Sequence, residues 1–142
     1  MERLFPNDKI LVTEFFDIHQ DWDTPIPGFF IIASRKNKES FSEFDNKESL
    51  EFIYLLVELR QKMKKILGIE KIILFQNENT KHKTFHICLF PFHEWMEMFG
   101  KFNIDAVERI VKYSKKEMTN QENIQKVKDY VNKMQNQISP VN

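Results

Sequence analysis

The sequence predicts an α+β fold, and three observations carry that prediction. Residues 84–91, Thr84-Phe85-His86-Ile87-Cys88-Leu89-Phe90-Pro91, alternate between a polar and an apolar face with the period of two that belongs to a strand. Residues 45–67 carry a long helical pattern, opened by a capping box at Asp45-Asn46-Lys47-Glu48 and stopped at Gly68. Two further helical patterns close the chain, over about residues 103–138. At 142 residues a single domain spanning 1–142 is expected, long enough to bury a real core.

The remaining elements follow in order. Residues 1–8 read as an arm ended by Pro6-Asn7-Asp8. Residues 9–19 are apolar and partly β-branched and read as one bent strand or two short ones. Gln20-Asp21-Trp22-Asp23-Thr24-Pro25-Ile26-Pro27-Gly28 is a loop whose shape is restricted by two prolines and a glycine. It offers carboxylates beside an indole, although a plain surface turn with Trp22 lying over the core would use the same residues. Residues 29–34, apolar as far as Ala33 and closed by Ser34, read as a buried strand. In the long helix the apolar positions cover more than one stripe, from Leu50 and Ile53 round to Leu55, Leu59 and Met63, so the helix is expected to be sandwiched. Residues 69–76 form the next strand. The short polar turn at 77–83 leads directly into residues 84–91, giving an antiparallel hairpin. Residues 93–102 are rich in aromatics and methionine and are expected to pack on the core. The first of the two final helices turns Ile104, Val107, Ile110 and Val111 inward. The second opens with a capping box at Thr119-Asn120-Gln121-Glu122, and its seam runs through Ile124, Val127, Val131, Met134 and Ile138. That seam serves either to pack the helix on its own domain or to meet another subunit.

Bulk composition narrows the functional classes. The chain is 42% hydrophobic and 30% charged, ordinary values for a soluble globular protein. Twenty-one basic residues balance twenty-one acidic ones, so no global field draws the chain onto nucleic acid or an anionic membrane, and neither is expected as a partner. One cysteine excludes an internal disulfide and suits a reducing cytoplasm, the expected location. The first residues lack the apolar core of a signal peptide, and no apolar run approaches the roughly 20 residues that cross a bilayer.

Chemistry concentrates on the polar face of residues 84–91. Imidazole has an ordinary pKa of about 6.5, so His86 is largely neutral near pH 7 and keeps a lone pair. Fixed on a strand, one ring nitrogen can be held by a backbone carbonyl while the other meets a substrate, as a nucleophilic histidine requires. Thr84 and Cys88 flank it on the same face and can donate weak hydrogen bonds to a phosphate oxygen. A half-buried core histidine is the competing reading. His82, His86, Cys88 and His93 include zinc-ligand types, but their spacing lacks any paired motif, so no metal is expected. A Cys88–His86 thiol dyad lacks a third, orienting group.

These features in this order resemble the histidine triad (HIT) superfamily of nucleotide hydrolases and transferases, whose motif alternates three histidines with apolar residues. Thr84 to Phe92 stands in the position of that motif and keeps the middle histidine as His86. Upstream, Pro27-Gly28-Phe29-Phe30-Ile31-Ile32 is similar to the family's Pro-x-Gly-His and its hydrophobic strand. Ser34-Arg35-Lys36-Asn37 is similar to its Lys-x-His, and Glu94-Trp95-Met96 to a bacterial branch that keeps only the middle histidine. The likeness covers about residues 9–100 and leaves the C-terminal helices, about 103–138, as an extension.

The resemblance implies an antiparallel sheet of about five strands with a long central helix, a homodimer that extends the sheet, and a purine nucleotide substrate. No cofactor is implied. His86 would attack the α-phosphate and form a nucleotidyl-histidine intermediate, and Asp21 would bind the ribose hydroxyls. Trp22 and Ile31 would form part of the base pocket, with Asn77, Thr84 and Cys88 also around the nucleotide. The chain departs from the family pattern at Thr84 and Cys88 in the motif, at Phe29 after Gly28, and at Asn37 after Lys36. The turn before the motif is also shorter, which leaves phosphate charge to Lys81, Lys83, His82 or backbone N–H groups. Three functions are therefore open: a nucleotidyl hydrolase or transferase, a nucleotide-binding protein without catalysis, and an interaction protein that uses the last helix's seam.

Overall fold

The computed structural model describes residues 3–78 and 84–139. Strand alternation explains most of its architecture. Five strands, β1 (Lys9–Val12), β2 (Phe16–Gln20), β3 (Phe30–Ser34), β4 (Ile72–Gln76) and β5 (His86–Pro91), make one antiparallel sheet in the order β1-β2-β3-β5-β4. Three helices cover it: α1 (Asn46–Leu67), α2 (Ile104–Glu117) and α3 (Gln121–Met134). This is the expected α+β arrangement, with the long helix and two C-terminal helices. The stretch at 9–19 is two short strands. Residues 93–102 include a short 3₁₀ turn at Glu94–Phe99, whose Met96 is buried in the core.

Each strand sends alternate side chains to opposite faces. On one face Phe16, Ile18, Phe30, Ile32 and Leu89 pack against Leu55, Leu59 and Met63 of α1 and against Val131, Met134 and Ile138 at the chain's end. On the other, Ile31, Cys88 and Phe90 meet Met96, Ala106, Val107 and Ile110. Each large apolar side chain taken from water contributes roughly 1.5–3 kcal/mol, so the first cluster outweighs any single polar contact. The seam of the last helix packs on its own domain at Val127, Val131 and Met134, which are buried, with Ile124 half-buried.

Helix ends are set by local chemistry. Asp45 accepts from the Glu48 N–H at 2.8 Å and Glu48 answers to the Asp45 N–H, as the capping box predicts. Glu48 is itself buried and paired with the Lys38 ammonium. The Lys38 carbonyl accepts from Phe85 N–H at 2.6 Å, so Lys38 joins the start of α1 to the approach to β5. Gly68 takes φ +66°, and Ile69 N–H then closes back on the Met63 carbonyl. Residues 69–71 are thereby used to end the helix, and β4 begins at Ile72 rather than at 69.

Other expectations are corrected. The cap of α3 is Asn120, which accepts from Asn123 N–H at 2.9 Å, because the Thr119 hydroxyl donates backward to the Lys115 carbonyl. Ile104, the first residue of α2, is 55% exposed rather than inward. The long helix is covered on one side only, since Leu50, Ile53 and Val57 form an exposed apolar stripe. Residues Lys81, His82 and Lys83 lie outside the described residues. Among the described residues, no helix is long and apolar enough to cross a membrane.

The loop at 20–28 is tied down at several points. The Gln20 amide donates to the Thr24 and Ile26 carbonyls at 3.3 and 2.9 Å. Gly28 takes φ +85°, and a Cβ there would lie 2.5 Å from the Ile69 side chain, so the position suits glycine alone. The His93 imidazole, through Nε2, bonds the Pro27 carbonyl at 2.6 Å, and burial lowers its pKa.

Leu59 is fully buried between helix and sheet. Leu59→Ala is expected to cost about 2–5 kcal/mol in urea unfolding. His93 has a folded pKa below its unfolded value of about 6.5, so the unfolded chain binds more protons as pH falls through that value. Its stabilising contribution is thus present above about pH 6.5 and lost below it. The melting temperature should drop less between pH 7.5 and 5.5 in His93→Gln than in the wild type.

Candidate active site

The face of the sheet opposite α1 is only partly covered, and a cavity of about 210 Å³ opens there. It is lined by Arg3, His19, Asp21, Trp22, Asp23, Ile31, Ala33, Thr84, His86 and Cys88. Register explains why these side chains share one space. Ala33 is paired with His86, Ile31 with Cys88, and Ile31 also with His19. The small Ala33 beside His86 leaves room above the imidazole. A larger side chain there would fill it.

Six of the seven site residues expected from sequence converge on this cavity: His86, Asp21, Trp22, Ile31, Thr84 and Cys88. Asn77 is the exception. It follows the last residue of β4, is exposed, and does not line the cavity.

His86 opens β5, half-buried, with Nδ1 3.2 Å from the Thr84 carbonyl. In the tautomer that donates from Nδ1 to this carbonyl, the lone pair resides on Nε2. Strand β5 is positioned before His86 by a backbone bond from Ser34 N–H to the Phe85 carbonyl at 2.9 Å. Cys88 is buried, and burial, with Asp21 adding to it, pushes its thiol up to about 12. It is therefore protonated near neutral pH, which excludes the thiolate that a Cys88–His86 dyad requires. Among the described residues no group of three or more His, Cys, Asp and Glu side chains is gathered as for a metal ion.

Asp21 is held in place by its own backbone, whose N–H donates to the Phe29 carbonyl at 2.8 Å. Its carboxylate accepts from Asp23 N–H at 3.2 Å, and both residues line the cavity.

Two lining residues, His19 and Arg3, had no role in the sequence reading. His19 is buried at the end of β2, its Nδ1 2.8 Å from the Gln20 carbonyl, and burial lowers its pKa. Its ring stacks on Trp22 at 4.7 Å between centroids with 9° between planes. Arg3 Cζ lies 3.6 Å from the Trp22 ring centroid. Two groups so close to one ring overlap unless they take opposite faces, so Trp22 is held between an imidazole and a guanidinium. The signal that exposes His19 is the alternation of β2, which turns it to the same face as Ile31. Nothing in the sequence marks Arg3.

A second cavity of about 370 Å³ lies between Pro27, His93 and Trp95 and the α3 residues Lys126, Tyr130 and Lys133. It shares no lining residue with the first.

No protein-family model and no curated protein sequence matches the chain. Solved structures do resemble it. A hypothetical histidine triad nucleotide-binding protein from Sulfolobus tokodaii superposes with a TM-score of 0.62 at 15% identity, covering 94% of this chain and 84% of that one. A HIT-like protein involved in cell-cycle regulation from Bartonella henselae gives 0.61 at 14% identity, over 92% and 86%. A zinc-bound histidine triad family protein from Mycobacterium smegmatis gives 0.57 at 9% identity, over 91% and 86%. With its five-stranded sheet, its long helix and a histidine at the start of β5, this chain has the histidine triad fold.

Proposed function

We propose that this protein binds a purine nucleotide derivative and hydrolyses it or transfers its nucleotidyl group, with His86 as nucleophile. The observation that carries the reading is the His86 ring in the cavity wall with Nδ1 against the Thr84 carbonyl. In the tautomer that donates to this carbonyl, that bond orients the imidazole and places the lone pair on Nε2. Nε2 attacks the α-phosphorus, a phosphorus–nitrogen bond forms, and the bond to the leaving oxygen or nitrogen breaks. Water or an acceptor hydroxyl then cleaves the nucleotidyl-histidine. Asp21 accepts hydrogen bonds from the ribose hydroxyls, and Ile31 lies against the sugar and base. The likeness to a histidine triad nucleotide-binding protein from Sulfolobus tokodaii supports the substrate class. Dinucleoside polyphosphates and nucleotide phosphoramidates are the substrates to try, and the setting proposed is the cytoplasm, where the single buried Cys88 stays a thiol.

A second reading, nucleotide binding without turnover, is favoured by the chemistry beside His86. Thr84 and a protonated Cys88 are weak donors, and a missing donor to a developing oxyanion costs about 10²–10³ in rate.

The partner proposed is a second copy of the chain. β4 is an edge strand whose Leu74 is 48% exposed, and α1 presents Leu50, Ile53 and Val57 to solvent. An edge strand that has one neighbour among the described residues, together with exposed apolar side chains, suits sheet extension across a two-fold axis.

Purified protein incubated with a dinucleoside polyphosphate should release a nucleoside monophosphate, and mass spectrometry after acid-free quenching should find a nucleotidyl adduct on His86. His86→Ala should lose at least about 10³-fold in rate. Equal turnover by the mutant would end the nucleophile reading, whereas binding with no turnover in the wild type would select the second. Sedimentation should show a dimer for the wild type and a shift to monomer for Ile53→Asp, with the melting temperature of the monomer lowered.

A further inference from the structure

Positive charge is scarce where the proposed reaction needs it. Among the described lining residues of the His86 cavity, Arg3 is the one permanently cationic side chain, set against the carboxylates of Asp21 and Asp23. Cys88 is neutral, Thr84 carries no charge, and burial favours the neutral form of His19. A phosphate chain placed over His86 brings negative charge into this wall, and the chain's own donors must meet it.

Arg3 is delivered there by construction. Phe5 is fully buried, and its N–H donates to the Trp22 carbonyl at 2.9 Å, which pins the N-terminal arm to the loop at 20–28. Two residues earlier, the guanidinium falls on one face of Trp22. Among the described residues no carboxylate forms an ion pair with it. Its contact is thus a cation–π contact on an exposed side chain, one of the weaker ways to hold a guanidinium. The planar fork is matched to phosphate oxygens, which it binds through two parallel charge-assisted hydrogen bonds. A guanidinium turned from the indole to a phosphate would uncover the face of Trp22 that it covers, a flat apolar surface suited to a purine ring, while His19 continues to support the other face.

We infer that Arg3 is the phosphate-binding residue of this site, its guanidinium turning from Trp22 to the nucleotide's phosphate chain while the base takes its place on the indole. The inference rests on the nucleotide reading above and deepens it. It assigns to the N-terminal arm the anion recognition that the polar face of β5 lacks.

The test uses the fact that the chain has two tryptophans. In Trp95→Phe, emission comes from Trp22 alone, so titration with AMP, GMP, adenosine, guanosine and inorganic phosphate reports on this cavity. Calorimetry on the unmodified protein gives an independent affinity. A saturable change in Trp22 emission with the mononucleotides is expected. Arg3→Ala should weaken AMP and GMP binding about tenfold or more, equivalent to one charge-assisted contact, and flatten its salt dependence. Nucleoside binding should stay within about twofold, and Arg3→Lys, which keeps the charge but loses the fork, should fall between. If the wild type and Arg3→Ala bind AMP equally, the Arg3 assignment fails and the nucleotide reading stands. Equal weakening of nucleosides and nucleotides would show that the arm merely supports the loop, which also overturns the assignment. If the wild type binds neither nucleotides nor nucleosides, both readings fall together.

Discussion

The pairing of β3 with β5 is the constraint on which the rest of the structure depends. Because side chains alternate strictly along a strand, one register decides both faces at once. With Ile32 opposite Ile87 and Phe30 opposite Leu89, one face is closed under α1 and α3. The same register sets Ala33 beside His86 and Ile31 beside Cys88 on the other. A slip by one residue would send His86 into the apolar core and Ile87 into the cavity. The core that stabilises the sheet therefore also fixes the face on which His86 lies, and the Thr84 carbonyl then orients its ring.

Electrostatically, the cavity is mild. Burial keeps the Cys88 thiol protonated and favours neutral His19, while Asp21 and Asp23 also line the cavity. A site of this kind can position a histidine well and still be slow, because preorganised charge, more than orientation, lowers barriers in phosphoryl chemistry. The stacked column of His19, Trp22 and Arg3 joins the arm, the loop and the sheet.

Much of this was legible in the sequence, for physical reasons that can be named. The strand alternation of residues 84–91 and the capping box at Asp45 are short-range signals, and each appears in place. Asp21, Trp22 and Ile31 reach the His86 cavity because the loop at 20–28 is short and rigid, so few arrangements could join its strands. What could not be read depended on distant partners. Arg3 lies in an arm without periodicity, and only the buried Phe5 tells where that arm goes. Thr119 matched a capping box, but its hydroxyl is taken by the preceding turn, leaving the cap to Asn120. The outer stripe of α1 resembles a core stripe in composition, and only the fold shows that Leu50, Ile53 and Val57 are exposed.

Lys38 has a consequence beyond its place in the fold. Its ammonium neutralises the buried Glu48 at the first turn of α1, while its carbonyl holds the Phe85 amide directly before His86. Replacing the Lys38 side chain would strand the Glu48 charge in a water-poor interior, on the residue whose carbonyl anchors the approach to the candidate catalytic strand. A substitution outside the cavity lining could thus disturb the strand that carries His86 while every residue lining the cavity stays the same.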